Sequence, residues 1–346
     1  MDIKVRLGTR DDIDALVEVE CSDVEAWYHY SSEGVRGAPA SYDELSSWER
    51  GRHGGPWMDY TSLTRYWDDM ERLAIIPLVA VIDGKVVGHL DVIFSDELPL
   101  GYFLYLDVLM VHKTYRRRGV ATTLIEEAER LARSRKVNFM LVSPQKYEGP
   151  SGLTYRSCGF EKAFDAYHME TPITDAEIPS GVHLVSIPQI QKAPIKTHAM
   201  MCGWSNISAK AWHYGINPNI EELQEELHAF PCHQLALSAL TNRSTYFFHL
   251  GQDTFNHLTG TLYLWAPKPL NEKELRDVFQ AAKTVASWLG IKTLTTVAIE
   301  RYISILEKFG FIIKSKGEPF LVKNINQWNF KTEKEGFAEN VSMSLS

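Results

Sequence analysis

The chain has 346 residues, of which 45% are hydrophobic and 23% are charged, a composition typical of a soluble globular protein. Its length predicts about two domains. Its net charge of −8 argues against a nucleic-acid partner, because phosphate contacts need a basic surface. No apolar run approaches the roughly 18–20 residues of a membrane span, and residues 1–6 lack the apolar core of a signal peptide. We therefore expect a cytoplasmic protein with no membrane partner.

The cysteines also argue against a metal site. Cys21, Cys158, Cys202 and Cys232 lie far apart and form no CxxC pair, the spacing from which zinc sites usually draw their ligands. We therefore expect no metal, and we expect thiols that are buried or idle in a reducing compartment.

The first half begins with a strand at residues 3–7 and a helix whose start is marked by the capping-box pair Thr9 and Asp12. Residues 20–72 form a polar, aromatic-rich insert. A hairpin follows, in which Asp83-Gly84 suits the positive φ angles of a tight turn. The hairpin strands are predicted at 78–82 and 85–90, and a third strand at 102–111. A helix at 121–134, a strand at 138–142 and a short helix ending at Gly159 follow. This order predicts an α/β fold, a mixed sheet with helices on its faces.

The most informative segment lies between the strand 102–111 and the helix 121–134, and reads Arg116-Arg117-Arg118-Gly119-Val120-Ala121. A glycine turn that leads from a strand into a helix aims several backbone amides at one anion, and the helix dipole adds roughly half a positive charge there. The spacing is that of neither a Walker loop nor a dinucleotide fingerprint. The alternative is a basic surface turn, but the strand before the loop and the helix after it favour a phosphate site.

Four features in order resemble the GNAT superfamily of N-acetyltransferases, over about residues 3–165. They are the start at 5–13, the hairpin ending in Val87-Gly88-His89-Leu90, the run 109–111 followed by Tyr115 and the Arg/Gly loop, and Tyr155-Arg156-Ser157-Cys158-Gly159-Phe160, which matches the family's Tyr-x-x-x-Gly-Phe. Each feature alone is a weak signal. Four of them at fitting spacing favour an acyltransferase domain.

The resemblance implies acetyl-CoA as cosubstrate and a role for two segments. It assigns the pyrophosphate to Arg116, Arg117, Arg118, Gly119, Val120, Ala121 and Thr122. It assigns the pantetheine arm to main-chain groups of Leu109, Met110 and Val111, one of which would polarise the acetyl carbonyl. Tyr155 matches the tyrosine that protonates the departing sulfur, and the alternative for it is a core tyrosine.

The general base is less determined. Some relatives place a glutamate on the strand before the last helix, but the matching position falls near Ser143, which cannot act as a base. Asp107 is the leading candidate, because period-two counting places it on one strand face with Leu109 and Val111. A strand carboxylate in a salt bridge is the alternative for Asp107, and Glu148 or a base acting through water also stays open.

The insert falls where GNAT enzymes build the acceptor-binding wall. Its aromatic faces and carboxylates would suit a cationic amine, while core packing is the alternative use of the aromatic residues. The aromatic residues are Trp27, Tyr28, Tyr30, Tyr42, Trp48, Trp57, Tyr60, Tyr66 and Trp67, and the carboxylates are Asp23, Glu25, Glu33, Asp59, Asp68 and Asp69.

The second half repeats the element order of the first. Residues 171–182 are predicted as a linker between a domain 1–170 and a domain 183–325, with a polar tail at 326–346. The repeated elements are strands 234–240, 245–250 and 258–265, helix 272–288, strand 293–297 and a helix before Phe309-Gly310-Phe311. Where the first half has its phosphate loop, this half has Pro267 and Pro269 and no glycine, and Leu306 stands in the place of the tyrosine.

We therefore predict tandem GNAT-like folds, of which the second is degenerate and does not bind coenzyme A in the usual way. It would complete the acceptor cleft or stabilise the first domain or a homodimer. The leading hypothesis for function is an N-acetyltransferase in which a primary amine attacks acetyl-CoA directly. The alternatives are a non-catalytic acyl-CoA-binding or sensing protein and a structural protein that binds no coenzyme A. The acceptor and the length of the acyl chain stay open.

Overall fold

Two large mixed sheets and a small hairpin make up the fold. The computed structural model describes residues 2–31, 35–174, 177–187, 193–216, 233–253 and 256–326, so Glu33, Cys232 and nearly all of the predicted tail lie outside the described residues. Within these ranges, no helix is long and apolar enough to cross a membrane.

The predicted elements of both halves are confirmed to within a few residues, except that the strand predicted at 85–90 continues to Glu97. The strands, numbered in chain order, are β1 (Lys4–Leu7), β2 (Trp27–Tyr30), β3 (Arg36–Ala40), β4 (Ile75–Ile82), β5 (Lys85–Glu97), β6 (Gly101–Val111), β7 (Phe139–Val142), β8 (Glu161–Phe164), β9 (Ala166–Pro172), β10 (His183–Ser186), β11 (His198–Cys202), β12 (Gln234–Leu240), β13 (Thr245–Gln252), β14 (Thr259–Pro267), β15 (Thr293–Ile299), β16 (Ile312–Lys316) and β17 (Phe320–Asn324). The α-helices are α1 (Ile13–Cys21), α2 (Ser47–Gly51), α3 (Tyr60–Leu73), α4 (Val120–Ser134), α5 (Pro150–Ser157), α6 (Ser208–Ile216), α7 (Glu272–Trp288) and α8 (Glu300–Lys308).

The first sheet has seven strands in the order β1-β4-β5-β6-β7-β17-β8. Its predicted hairpin is β4–β5, and Asp83 has a φ of 50° in the turn, as a tight two-residue turn requires. Helix α4 covers one face of the sheet with four fully buried side chains on one side of the helix. They are Leu124, Ile125, Ala128 and Ala132.

Strands β6 and β7 separate halfway along β6. They run parallel and pair only from Phe103–Phe139 to Leu106–Val142, so within the described residues one edge of 107–111 has no strand partner. On the other edge, β5 places Leu90 opposite Leu109 but Val92 opposite Leu106. Residues 107 and 108 therefore face Asp91 alone, which is a β-bulge.

The bulge makes the predicted face of Asp107 wrong. Leu106 and Leu109 pack into the same hydrophobic cluster as α4. Asp107 instead bonds to Tyr66, whose ring belongs to the cluster on the other side of the sheet. Period-two counting fails here because one extra residue reverses the alternation. Asp107 therefore lies on the face opposite Leu109 and Val111.

The two sheets exchange a strand. Strand β9 ends the first half but lies in the second sheet between β15 and β16, and β17 lies in the first sheet between β7 and β8. Where the two crossing segments meet, the Gly317 amide donates to the Ala166 carbonyl over 2.9 Å. The predicted domain bounds 1–170 and 183–325 stay a prediction, and each sheet is completed by a strand from the other half.

The second sheet has the order β10-β12-β13-β14-β15-β9-β16, with β11 paired to β14. Its central strands β14 and β15 also run parallel and pair over only three residue pairs. Here β11 covers the edge of β14 that β15 leaves, and the amides of Gly203 and Trp204 then donate to the Val297 carbonyl of β15. The chain itself therefore fills the gap between the two parting strands of this half.

Strand β17 should stabilise the first sheet strongly, because Leu321 is fully buried opposite Val142. We expect Leu321→Ala to lower the free energy of unfolding by about 2–5 kcal/mol, measured by urea denaturation. The matched control is Ile313→Ala in β16, where the side chain is 43% exposed and a change of about 0.5 kcal/mol or less is expected. Equal losses in the two variants would contradict a structural role for the exchanged strand.

Candidate active site

The loop predicted to hold phosphate lies between β6 and α4. Gly119 is the N-cap of α4 and has a φ of 89°, in the left-handed region that favours glycine. Within the described residues, no side chain caps this 15-residue helix, so its first amides can bond to a group from outside. The helix dipole adds roughly half a positive charge at the same point. Residues 119–122 therefore have the geometry of an anion site, and their assignment to coenzyme A stays a prediction.

The three arginines of the loop differ in their contacts. Arg116 donates from Nε to the Val111 carbonyl over 2.9 Å and pairs with Asp23, so it closes the loop onto the end of β6. Arg118 lies over the ring of Tyr115, 5.5 Å from its centroid. All three arginines are exposed, but the guanidinium of Arg116 is already engaged by Val111 and Asp23. The geometry therefore favours Arg117 and Arg118 over Arg116 for contacts with a phosphate.

The open edge of β6 leads away from this loop. Leu109, Met110 and Val111 lie on it, next to the gap between β6 and β7. Unpaired backbone groups at an edge can accept an extended ligand as an additional strand. This placement agrees with the pantetheine contacts that the resemblance implies, and those contacts stay a prediction.

Asp107 lies at the bulge and forms a buried ion pair. Its carboxylate bonds to Lys210 Nζ, and the Tyr66 hydroxyl lies 3.4 Å from the same oxygen. The side chains of Asp107 and Lys210 are 6% and 8% exposed. Burial raises the pKa of the Asp107 carboxyl above its ordinary value, and Lys210 offsets part of that rise. The base predicted from the sequence is thus held by a lysine from the second half of the chain.

Tyr155 is buried on α5. Its ring packs edge-on against Phe160, with centroids 5.6 Å apart. Burial raises the pKa of its phenol, and the nearby charge of Asp107 raises it further. A phenol that keeps its proton at neutral pH can act as a proton donor. Its burial is compatible with both uses predicted for it, a catalytic acid and a core tyrosine.

The other two positions considered for a base lie differently. Ser143 lines the cleft beside Asp107. The Glu148 side chain is 76% exposed and pairs with Arg156 over 3.5 Å, and it is not among the described residues that line the cleft.

A second buried charge cluster lies on β5 and was missed in the sequence. The ring nitrogens of His89 lie 2.6 Å from Glu20 Oε1 and 3.6 Å from Asp91 Oδ1. Burial disfavours the charged imidazole, but Asp91 and Glu20 outweigh it and raise the pKa of His89 to about 10. Asp91 faces the bulge and also raises the pKa of Asp107. The spacing of His89 and Asp91 could have revealed this cluster in the sequence, because residues two apart on a strand share a face.

The cleft between the halves measures about 430 Å³. The first half lines it with side chains where β6 and β7 separate, with Trp57 and with β9, which lies in the second sheet. The second half lines it from α6 and the segment before β17. Its lining includes the aromatic or polar side chains of Trp57, Tyr105, Asp107, Trp204, Asn206, Lys210, Glu318 and Phe320. Of the described aromatic residues in the insert, Trp57 lies in this wall, while Tyr66 and Trp67 are buried in the core, so packing accounts for much of the insert.

Helix α6 carries Lys210 to Asp107 because the first half anchors that helix. The amides of Ser208 and Ala209 donate to the Glu97 carboxylate over 2.8 and 3.0 Å, which caps the helix N-terminus. Burial raises the pKa of Glu97 to about 7, against the lowering effect of these bonds. Farther along, His213 lies 3.2 Å from Asp69. These contacts join residues more than a hundred positions apart, so no local pattern in the sequence could have found them.

Among the described residues of the second half, the positions equivalent to the anion site are closed. Helix α7 is capped by the Asn271 side chain, which accepts from the amides of Lys273 and Glu274 over 3.1 and 3.2 Å. Strand β11 covers the strand edge that would pair with a pantetheine arm. Leu306, in the place of the tyrosine, is fully buried. The groups that stay open in the first half are therefore satisfied within the chain in the second.

The first half thus combines a mixed sheet with separating central strands and an open helix N-terminus. Residues 42–160 match the family model described as the acetyltransferase (GNAT) family. No curated protein gives a significant match.

Several solved structures share the fold. A GCN5-related N-acetyltransferase from Anabaena variabilis is 13% identical with a TM-score of 0.52, over 94% of this chain and 73% of its own. One from Kribbella flavida is 11% identical with a TM-score of 0.51, over 93% and 71%. A GCN5-related glucosamine N-acetyltransferase region of a fungal multi-domain GH3 β-N-acetylglucosaminidase is 10% identical with a TM-score of 0.53, over 93% of this chain and 38% of that one.

The first half of the chain therefore carries a GNAT-family domain, and the chemistry of that family is acyl transfer. The chain as a whole has the mixed α/β fold of two GNAT-like halves. At these identities the solved structures establish the fold and leave the substrate to be inferred from the site.

Proposed function

We propose that the chain is an acetyl-CoA-dependent N-acetyltransferase, in which a primary amine attacks the acetyl thioester in the cleft between the two halves. The observation that carries the proposal is the difference between the halves. In the first half an uncapped helix and an open strand edge lead to a cleft that holds a buried carboxylate. In the second half, Asn271 and β11 satisfy the equivalent groups.

The binding of the cosubstrate rests on main-chain groups. The first amides of α4 hold the pyrophosphate, and Arg117 and Arg118 offset its charge. Main-chain groups of 109–111 align the pantetheine arm along the open edge of β6. One of these amides polarises the acetyl carbonyl and stabilises the negative charge that develops on its oxygen.

Asp107 and Tyr155 carry out the proton transfers at the beginning and at the end of the reaction. Asp107 accepts a proton from the ammonium group of the acceptor, directly or through water, and the freed nitrogen lone pair bonds to the acetyl carbon. The carbon–sulfur bond then breaks with its electron pair on sulfur, and Tyr155 gives its proton to the thiolate. The nitrogen gives its second proton to solvent as the amide forms. The products are an amide and free coenzyme A. Asp107 then passes the proton that it accepted to solvent and the Tyr155 phenolate takes one back, so that one proton is released overall.

The lining of the cleft favours a cationic amine as the acceptor. Trp57, Trp204 and Phe320 supply aromatic faces, which attract cations. Asp107 of the first half and Glu318 of the second half supply carboxylates. An acceptor amine that enters as an ammonium ion is therefore drawn toward the group that deprotonates it.

A non-catalytic acyl-CoA-binding or sensing protein is the second candidate, and the Asp107–Lys210 ion pair favours it because the paired carboxylate is a weaker base. A panel of amines with acetyl-CoA, assayed for free thiol, separates the two candidates. Tight binding of acetyl-CoA without thiol release for any amine would favour the sensor.

Substitution of Gly119 should remove cofactor binding. We expect Gly119→Glu to weaken coenzyme A binding by about 100-fold or more, since it strains the loop and places a carboxylate against phosphates. Isothermal titration calorimetry measures the affinity. The matched control is Gly290→Glu, because Gly290 also has a positive φ, 77°, and no heavy atom nearby. Loss of binding in both variants would point to general backbone strain instead of the loop.

Substitution of Tyr155 tests the acid. We expect Tyr155→Phe to lower kcat by about 100-fold or more while the affinity for coenzyme A stays within experimental error. Steady-state kinetics and calorimetry measure the two quantities, and the buried Tyr302 of the second half supplies Tyr302→Phe as the control. An unchanged kcat in Tyr155→Phe would remove the acid assignment and leave the fold assignment intact.

Substitution of Lys210 tests the base through the pH profile. Asp107 must be ionised to accept a proton, so kcat/KM falls as the pH drops through its pKa. Because Lys210 lowers that pKa, Lys210→Met should move the acidic limb of the profile upward by about 1–2 pH units, and Lys210→Arg should restore most of it. An acidic limb that stays in place would argue that another group is the base.

A further inference from the structure

A second cavity adjoins the cleft. It measures about 240 Å³ and lies in the second half, between α6 and the strands β12, β13 and β14. Asn206 and Lys210 line both this cavity and the cleft, so the two meet at these side chains. The volume is below the ~300–1,000 Å³ of a complete ligand site, and a cavity of this size beside a reaction centre suits one end of a ligand.

The lining of this second cavity is polar, and among the described residues Lys210 is its only charged side chain. His249, Gln234, Thr261 and Tyr263 contribute an imidazole, an amide, a hydroxyl and a phenol. The charge of Lys210 is matched by Asp107. Such a lining offers hydrogen-bond donors and acceptors together, and it gives no counter-charge to an ionic group.

His249 is the buried group that this cavity leaves without a partner. Its side chain is 7% exposed, and within the described residues Nδ1 has no hydrogen-bond partner. Burial lowers the pKa of His249 to about 4, so the ring is neutral at pH 7 and has one donor and one acceptor nitrogen. Buried polar atoms are almost always hydrogen-bonded, and a bound ligand would meet that requirement.

The equivalent of His249 in the first half is His89, and the two histidines have different surroundings. His89 and His249 are each the fifth residue of the second strand of a hairpin, in His89-Leu90-Asp91 and His249-Leu250-Gly251. Asp91 and Glu20 hold the first histidine as a cation. Gly251 stands in the place of the carboxylate, and the neutral Gln234 side chain occupies the space next to it. The second histidine is therefore neutral and lines a cavity, where the first contacts two carboxylates.

We propose that this cavity is a specificity subsite that binds the far end of the amine acceptor, and that the group it takes is uncharged and carries both donors and acceptors, as a carboxamide does. The inference rests on the proposed function, since it extends the acceptor site across Lys210. His249 accepts or donates one hydrogen bond to this group, and Thr261 and Gln234 bond to its other atoms. The second half thereby recognises the acceptor, while the first half carries out the transfer.

The experiment compares amines that differ only at the far end. ω-Amino carboxamides of three to eight carbons are assayed beside the ω-amino carboxylates and alkylamines of equal length, with propylamine as the reference without a tail. At the best length we expect kcat/KM for the carboxamide to exceed that of both isosteres by about tenfold, the value of one net hydrogen bond of about 1.4 kcal/mol. Absence of a carboxamide preference at every length would overturn the subsite.

Variants locate the preference. His249→Phe should reduce the ratio of kcat/KM for the carboxamide to kcat/KM for propylamine to about one-tenth, and Thr261→Val should lower it with less risk to folding. A general loss of activity leaves this ratio unchanged, so an unchanged ratio in both variants contradicts the proposal. His183→Phe, at an exposed histidine of β10, is the control and should keep the wild-type ratio.

A readout independent of turnover separates this proposal from the proposed function. The ¹⁵N signals of His249, assigned through His249→Phe, should shift when the best carboxamide is added to the full chain with coenzyme A. A shift without thiol release from any amine would support the subsite and refute the transferase. Thiol release without a shift would do the reverse.

Discussion

A backbone amide or carbonyl that loses its partner in the interior must find another, and both sheets meet this constraint where their central parallel strands part. In the second sheet β11 takes the free edge and Asn271 takes the free helix amides. In the first sheet both sets of groups stay open within the described residues. The same fold is therefore closed in one half and receptive in the other, and the receptive half is the one whose sequence matches the GNAT family.

Three separate features join the two halves at the cleft. Glu97 anchors α6, α6 carries Lys210 to Asp107, and the exchanged segments around Ala166 and Gly317 line the same space. Because buried ion pairs are strongly destabilised when one partner is removed, the Asp107–Lys210 pair ties the protonation of the base to the position of a helix from the other half. A degenerate copy thus has a direct physical effect on the site of its neighbour.

The parts of the fold that local chemistry dictates were predictable from the sequence. The turn at Asp83-Gly84, the glycine before α4 and the bounds of α7 follow from φ preferences and helical periodicity. The strand exchange, the covering by β11 and the pairing of Lys210 with Asp107 join residues distant in sequence, and no pattern within a window reveals them. The β-bulge is an intermediate case, because one inserted residue reversed the face of Asp107 without leaving a glycine or proline as a sign. The match of His89-Leu90-Asp91 with His249-Leu250-Gly251 can be found in the sequence by aligning the two halves.

The exchanged strand also affects how the protein is made. Domains generally fold as units during synthesis, with the N-terminal one first. Here the first sheet cannot close until residues 320–324 have left the ribosome, so its two flanking strands β7 and β8 wait with unpaired edges while the whole second half is translated. Such edges invite pairing with other chains. A product that ends before β17 would therefore lack a finished cleft, even though every residue of the GNAT-family match had been translated. Synthesis through β17 is thus a condition for forming the site.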